Sequence, residues 1–219
     1  MAKSKTRILI VDDHPVLRRG LSELLRQQAD LEVCGQMEGV AEAVRFCRAE
    51  SPDLVLIDMS LKDGHGLDLI KELKTLRQPP KMLVISMYEQ ASYAERALRA
   101  GARGYLPKSE AADEIIAAIR TVLAGGVYVN KHMTEQLLHS MVGGPSGAGR
   151  APEDVLSDRE LQVFESLGQG LGTREISERL SLGYKTVDSY RQHIKQKLGL
   201  TDGNELIFRA ILWAHGDKR

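Results

Sequence analysis

Short apolar runs alternate with helical periodicity five times in succession, and that pattern restricts the fold more tightly than any other feature of the chain. The runs are RILIVD, LEVCGQM, DLVLID, KMLVIS and RGYLPK. Between them, apolar residues recur at helical spacing: Leu17, Leu21, Leu24; then Val40, Val44, Cys47; then Leu69, Leu73, Leu76; then Tyr93, Ala97, Leu98. Ile115, Ile119 and Val122 continue the alternation after the last run. A run such as Leu54 to Ile57, apolar at consecutive positions, needs cover on both faces. Repeated strand–helix units of this kind predict an α/β fold, a five-stranded parallel sheet doubly wound between helices. Pro15 near the start of the first helix and Gly101 just past the fourth fit the usual asymmetry of helix ends.

The pattern changes further along. KHMTEQLLHSMV reads as one more amphipathic helix, and GGPSGAGRAP (Gly143 to Pro152) reads as a flexible tether. From Glu153 onward no strand pattern recurs, so a second, smaller, all-α domain is expected. The predicted division is 1–129 for the α/β domain, 130–152 for helix and linker, and 153–219 for the helical domain. Ser157 begins a helix carrying Leu161, Phe164 and Leu167, and Glu160 three residues later completes a capping box. Thr173 is placed to cap the next helix, with Ile176 and Leu180 four apart. A brief SLGY turn leads to a longer helix with Val187, Ile194 and Leu198. Two helices joined by so short a turn form a helix-turn-helix, whose second helix enters the DNA major groove. A last helix, Asn204 to Ala214, carries Leu206, Ile207, Ile211 and Trp213. Its apolar face serves either a dimer contact or internal packing.

Charge narrows the partners. The formal net charge is +0, so bulk attraction does not draw the chain to nucleic acid and any such binding rests on a local basic surface. Lys185 to Lys197 supplies one: four cations (Lys185, Arg191, Lys195, Lys197) against Asp188, a net of +3. No apolar run reaches membrane-spanning length and the N-terminus lacks a signal-peptide core, so no membrane association and a cytoplasmic location are expected. Cys34 and Cys47 form no metal-ligand pattern and read as reduced thiols. The six histidines, His132 and His139 included, form no cluster, and His14 reads as an exposed rim residue.

Working residues of doubly wound sheets lie at the carboxyl ends of the strands. Here those ends carry Asp12 and Asp13, Asp58, Ser86 and Lys108. A single Asp there is ordinarily a turn residue or a helix cap; the joint occurrence in chain order is what points to chemistry. Three converging carboxylates call for a cation, and an all-oxygen set suits Mg²⁺. A lysine and a hydroxyl beside them suit a phosphoryl group, with Asp58 as the nucleophile that forms an acyl phosphate.

ILIVDDHPVLRRGL, DLVLIDMSLKDGHGLDLIKEL, MLVISMYEQ and AGARGYLPKS together resemble the receiver domain of two-component response regulators, a flavodoxin-like fold, over roughly the first 125 residues. The resemblance implies that Asp58 accepts phosphoryl from a sensor histidine kinase. It further implies that Asp12, Asp13, Asp58 and the backbone carbonyl of Ser60 hold Mg²⁺, that Ser86 and Lys108 contact the phosphoryl group, and that Tyr105 is the switch aromatic. Departures are Pro107 before Lys108 with Ser109 after it, Lys62 where proline is frequent, and Met87, whose bulk could narrow access to Asp58. An aspartyl-phosphate phosphatase would carry a second Asp where Ser60 stands, so an enzyme is not expected. A dinucleotide fold is disfavoured because the first strand leads into DDHP rather than a glycine-rich turn.

SDRELQVFESLGQGLGTREISERLSLGYKTVDSYRQHIKQKLGL is similar to the LuxR-type helix-turn-helix output domain, and the combination resembles the NarL/FixJ class. By that resemblance Lys185, Thr186, Asp188, Ser189 and Gln192 face the groove, and Tyr190, Arg191 and Lys195 contact the DNA backbone. The implied protein is a phosphorylation-regulated transcription regulator that binds duplex promoter DNA as a homodimer, with RNA polymerase as a possible further partner. Phosphorylation would act by releasing the output helix or by favouring the dimer.

Overall fold

The computed structural model describes residues 5–89, 91–142, 151–180 and 182–214. Most of the expected tether (143–150), the His139 side chain and Ser181 of the SLGY turn lie outside the described residues. The chain divides into two compact units, Met1–Gly144 and Pro145–Arg219.

The strands of the first unit are β1 (Thr6–Val11), β2 (Leu31–Met37), β3 (Leu54–Ile57), β4 (Ser60–Leu61), β5 (Gly64–His65), β6 (Lys81–Ser86), β7 (Gly104–Pro107) and β8 (Tyr128–Val129). Its helices are α1 (Pro15–Arg26), α2 (Val40–Glu50), α3 (Gly66–Lys74), α4 (Ala91–Ala100), α5 (Ala112–Leu123) and α6 (Lys131–Val142). The main sheet is parallel throughout, in the order β2-β1-β3-β6-β7-β8. The five predicted strands are present, and the strand count is corrected to six. β8 adds to the edge through Gly104↔Tyr128 and Tyr105↔Val129. Two residues are too few to show alternation, and only the neighbouring β7 makes them a strand. β4 and β5 form a separate antiparallel pair directly after Asp58.

The consecutive apolar residues are covered on both faces, as expected of parallel strands. Ile8, Ile10, Leu54, Leu56, Leu83 and Ile85 pack with Leu21 and Leu25 of α1 and Ile115, Ile119 and Val122 of α5. The alternate residues Leu9, Val11, Val55, Ile57 and Val84 are equally closed to solvent, as are Ala43 of α2, Leu69 and Leu73 of α3, and Tyr93 and Ala97 of α4. Each large aliphatic side chain so buried contributes about 1.5–3 kcal/mol. Helix starts on this side borrow caps from the chain around Asp58. Asp63 accepts from Val40 N at 2.6 Å and Ala41 N at 3.2 Å, and His65 Nδ1 accepts from Leu67 N at 3.2 Å. α6 packs on α4 and buries Met133.

The second unit comprises α7 (Pro152–Val155), α8 (Asp158–Gly168), α9 (Thr173–Arg179), α10 (Tyr184–Leu198) and α11 (Gly203–Ala214). The Ser157–Glu160 capping box forms. The expected Thr173 cap does not: Gly172 is the capping residue, and its N–H donates to Glu175 Oε2 at 2.8 Å. Thr173 is instead the first helical residue and nearly buried, its hydroxyl turned to another helix. α8 is the hub, packed on α9, α10 and α11. A Cβ on Gly168 would lie 2.6 Å from Ala210 O, so only glycine allows α8 and α11 to approach so closely. α10 ends on Gly199 at φ 67°, the left-handed cap that glycine adopts without strain.

Candidate functional site

The pocket at the carboxyl ends of β1, β3, β6 and β7 follows from the sheet ladder. Asp12 N donates to Met37 O at 3.1 Å, and Asp58 N donates to Val11 O at 2.8 Å, so both acids sit just beyond paired strand ends. Asp12 Oδ1 accepts from His14 N at 2.7 Å, which turns the chain toward α1. The order of the sheet reverses at β1, so its end and that of β3 flank the crevice. Lys108 reaches in from beyond β7, its Nζ 2.7 Å from Asp58 Oδ2 and 2.8 Å from Asp12 Oδ2. The side chains of Asp12, Asp58 and Lys108 are all but closed to solvent.

Burial pushes the Asp58 carboxyl up to about 6, with the Asp12 and Asp13 carboxylates adding to the rise and the Lys108 ammonium opposing it. One ammonium therefore does not balance the acids. Ligand atoms of Asp12, Asp13, His14 and Asp58 all lie within 4.8 Å of one another. Asp13 Oδ1 is buried and accepts no hydrogen bond. The His14 Nδ1 atom comes within 2.8 Å of it, without the alignment of a bond. An under-served carboxylate oxygen, a raised neighbouring carboxyl and an oxygen-rich donor set together fit a hard divalent cation. The acidic pocket of Asp12, Asp13 and Asp58 is of the kind that binds Mg²⁺. His14 is 60% exposed at its side chain, on the rim as expected, but its ring nitrogen turns toward the acids.

Ser86 is fully buried and its Oγ accepts from Tyr88 N at 3.1 Å. Tyr105 is also fully buried, and its hydroxyl donates to Tyr88 O at 2.8 Å. Tyr88 in turn stacks on Tyr93 of α4, ring centroids 4.5 Å apart. Ser60 opens the β4–β5 pair. Met87 is 71% exposed. The loop after Lys108 makes two further ties: Ser109 Oγ donates to Glu89 at 2.8 Å, and Asn130 Nδ2 donates to Glu110 at 2.7 Å. Asn130 Oδ1 caps α6 by accepting from Met133 N at 2.9 Å. These ties span about twenty residues and leave no local signal in the sequence.

Gly66 is positioned by the pocket. A Cβ there would lie 2.4 Å from Asp58 O and 2.9 Å from Met59 Cα. Its N–H donates to Met59 O at 2.8 Å, which draws the start of α3 against the Asp58 backbone.

In the second unit, α10 turns Val187 and Ile194 into the core and exposes Lys185, Thr186, Asp188, Ser189 and Gln192. Tyr190, Arg191 and Lys195 are half-buried at the flank. The basic charge read from the sequence is partly engaged internally. Arg191 Nη1 donates to Thr173 Oγ1 at 2.5 Å, and Lys197 Nζ pairs with Glu160 at 2.6 Å. Burial alone would raise the Glu160 carboxyl, yet Lys197 and the Ser157 N–H and hydroxyl hold it below the usual range.

Residues 8–120 match the family model of the response regulator receiver domain, and residues 154–210 match that of the bacterial regulatory proteins of the luxR family. The oxygen regulatory protein NreC of Staphylococcus carnosus (strain TM300) is 35% identical over 210 residues, spanning 94% of this chain and 96% of that protein. Among solved structures, the RcsB response regulator of Salmonella typhimurium has a similar fold. It superposes with a TM-score of 0.75 at 21% identity, covering 95% of this chain and 98% of that one. RcsB from Salmonella enterica serovar Typhimurium, bound to promoter P1flhDC in the presence of the phosphomimetic BeF3-, gives 0.71 at 22% identity over 94% and 98%.

Proposed function

The chain belongs to the response regulators that join a receiver domain to a LuxR-type DNA-binding domain, and from that premise we propose a role for each group in the pocket and on α10. The protein is a phosphorylation-regulated, DNA-binding transcription regulator, of a family not typically enzymatic. Asp58 is the phosphoryl acceptor and a sensor histidine kinase its donor. The observation that carries this reading is the convergence of Asp12, Asp13 and Asp58 on one pocket, with Lys108 bridging two of them.

Asp12, Asp13, Asp58 and the Ser60 carbonyl hold Mg²⁺, which neutralises charge on the transferring oxygens when bound. An Asp58 carboxylate oxygen attacks phosphorus as the P–N bond of the kinase phosphohistidine breaks, leaving an acyl phosphate on Asp58 and free imidazole on the kinase. Lys108 leaves the carboxylate oxygen it now holds and follows the new charge, about −1.5 to −2. The Ser86 hydroxyl accepts from Tyr88 N, and its own proton is donated to a phosphoryl oxygen. Tyr105, the switch aromatic, reads that change through the same residue, because its hydroxyl is held by Tyr88 O. Ser60 supplies no general acid, so the phosphoryl group is held as a signal rather than turned over, and the protein is not an enzyme.

On the output side, Lys185, Thr186, Asp188, Ser189 and Gln192 face the major groove, and Tyr190, Arg191 and Lys195 flank the phosphates. The protein works in the cytoplasm, binds promoter DNA as a homodimer, and presents itself there to RNA polymerase. The described residues contain no helix long and apolar enough to cross a membrane. The promoter-bound RcsB structure supports the DNA-bound state by likeness of fold. The proposed division is 1–129 for the receiver, 130–152 for the α6 helix and linker, and 153–219 for the output domain.

The test is phosphorylation of the full chain by a small-molecule phosphodonor with and without Mg²⁺. Acid-labile phosphoryl on the wild type, absent from Asp58→Asn and from chelator-treated protein, is the expected result. Equal labelling of Asp58→Asn would overturn the assignment.

A further inference from the structure

The recognition face of α10 carries a carboxylate that phosphate binding does not explain. Lys185, Asp188 and Gln192 recur at i, i+3 and i+7, a single exposed stripe about 10 Å long. Among the described residues, none of these three side chains makes a hydrogen bond or an ion pair. Val187 and Ile194 anchor the opposite side of the helix in the core, which fixes the stripe outward. Lys185 and Asp188 lie in the N-terminal half of α10 and Gln192 just past its midpoint; the N-terminal part of a helix-turn-helix recognition helix is the part that touches base edges.

An acid in that place opposes DNA. Arg191 and Lys197 lie off the stripe and Lys195 is half-buried beyond it, so Lys185 is its one cation. A carboxylate is acceptor-only and gains nothing from phosphate. In the major groove its partners are exocyclic amino groups: cytosine N4 or adenine N6. Adenine presents its N7 acceptor beside N6, which repels a carboxylate, whereas cytosine presents no acceptor on that side. The Gln192 amide has both a donor and an acceptor, which together fit adenine N6 and N7.

We propose that Asp188 and Gln192 are the specificity-determining pair of this protein: Asp188 selects a cytosine and Gln192 an adenine in the major groove. The inference rests on the DNA-binding reading above and deepens it. The four-residue step from Asp188 to Gln192 rises about 6 Å, or roughly two base-pair steps, so the two selected bases lie within about two or three steps of each other.

The experiment uses the full-length protein with Mg²⁺ and beryllofluoride, selected against a randomised duplex pool, followed by affinity measurements on single-substituted duplexes. For the wild type, replacing the selected cytosine or adenine weakens binding about 5- to 150-fold. Asp188→Asn moves the preference at the cytosine position to adenine, since Asn reads adenine, and leaves other positions unchanged. Gln192→Lys moves the preference at its position to guanine. Both residues are exposed, so the variants keep the fold, which circular dichroism checks. Asp188→Asn tightening all duplexes alike, with no change of preference, would overturn the proposal and leave Asp188 as an electrostatic brake. Wild-type protein that enriches no duplex would instead sink the DNA-binding reading itself.

Discussion

Asp58 and Gly66 show how single residues in the pocket trade stability against chemistry. The Asp58 carboxyl holds its proton to about 6 in the folded protein but to 3.8 in an ordinary carboxyl. Without a divalent cation, its ionisation therefore costs the folded state about 3 kcal/mol. That stability is fully present below about pH 4 and is lost as pH rises through about 6. Urea unfolding in chelator is expected to show wild type losing stability relative to Asp58→Asn over that window. Mg²⁺ should restore it more at about pH 7 than at about pH 5, because the ligands must be ionised to bind. A flat difference between the two proteins across the window would contradict the burial argument. Gly66→Ala forces a methyl into the Asp58 carbonyl. It should cost roughly 1–3 kcal/mol and slow phosphoryl acceptance by about tenfold or more through misplacement of the carboxylate. The rate of labelling by phosphodonor measures the second effect separately from the first.

At the level of elements, two helices are held by contacts far away in the chain. α6 begins at the Asn130 cap, and Glu110, two residues past Lys108, holds the amide of that cap. Asn130→Ala should lose about 1 kcal/mol locally and speed hydrogen exchange in the first turn of α6, with the β3 amides unaffected. α10 is pinned at its far end by Lys197 on Glu160, the same acid that closes the capping box of α8. Lys197→Met leaves that nearly buried carboxylate with Ser157 as its remaining hydrogen-bond partner. A loss of about 1–3 kcal/mol is expected for the second unit, read by urea unfolding monitored at Trp213.

Across the whole molecule, Trp213 is the single tryptophan and packs on Phe164 within the second unit, so its emission reports that unit alone. The cation site belongs entirely to the first unit. In the unphosphorylated protein, Mg²⁺ is therefore expected to raise the unfolding midpoint followed by far-ultraviolet circular dichroism of the first unit. The Trp213 midpoint should not move. A Trp213 midpoint that follows Mg²⁺ would show instead that the units are energetically coupled before phosphorylation.

The parallel sheet, the acids at its strand ends and the helix-turn-helix were legible in the sequence because each is written in local periodicity. Leu54 to Ile57 had to be covered on both faces, and whatever followed such a strand had to stand at its carboxyl edge. The capping box of α8 was legible for the same reason, as it lies within four residues. The sixth strand, the close approach of Gly66 to Asp58, the Glu110–Asn130 tie and the internal engagement of Arg191 and Lys197 were not. Each is a contact beyond the reach of a local pattern, eight residues apart for Gly66 and Asp58 and eighteen or more for the others. Gly172, not Thr173, caps α9, and the threonine hydroxyl accepts from Arg191, eighteen residues on. Sequence alone thus determined which chemical groups meet at the sheet edge. Tertiary packing decided the protonation of Asp58 and which basic side chains of α10 are engaged internally, because burial and pairing are properties of neighbours in space.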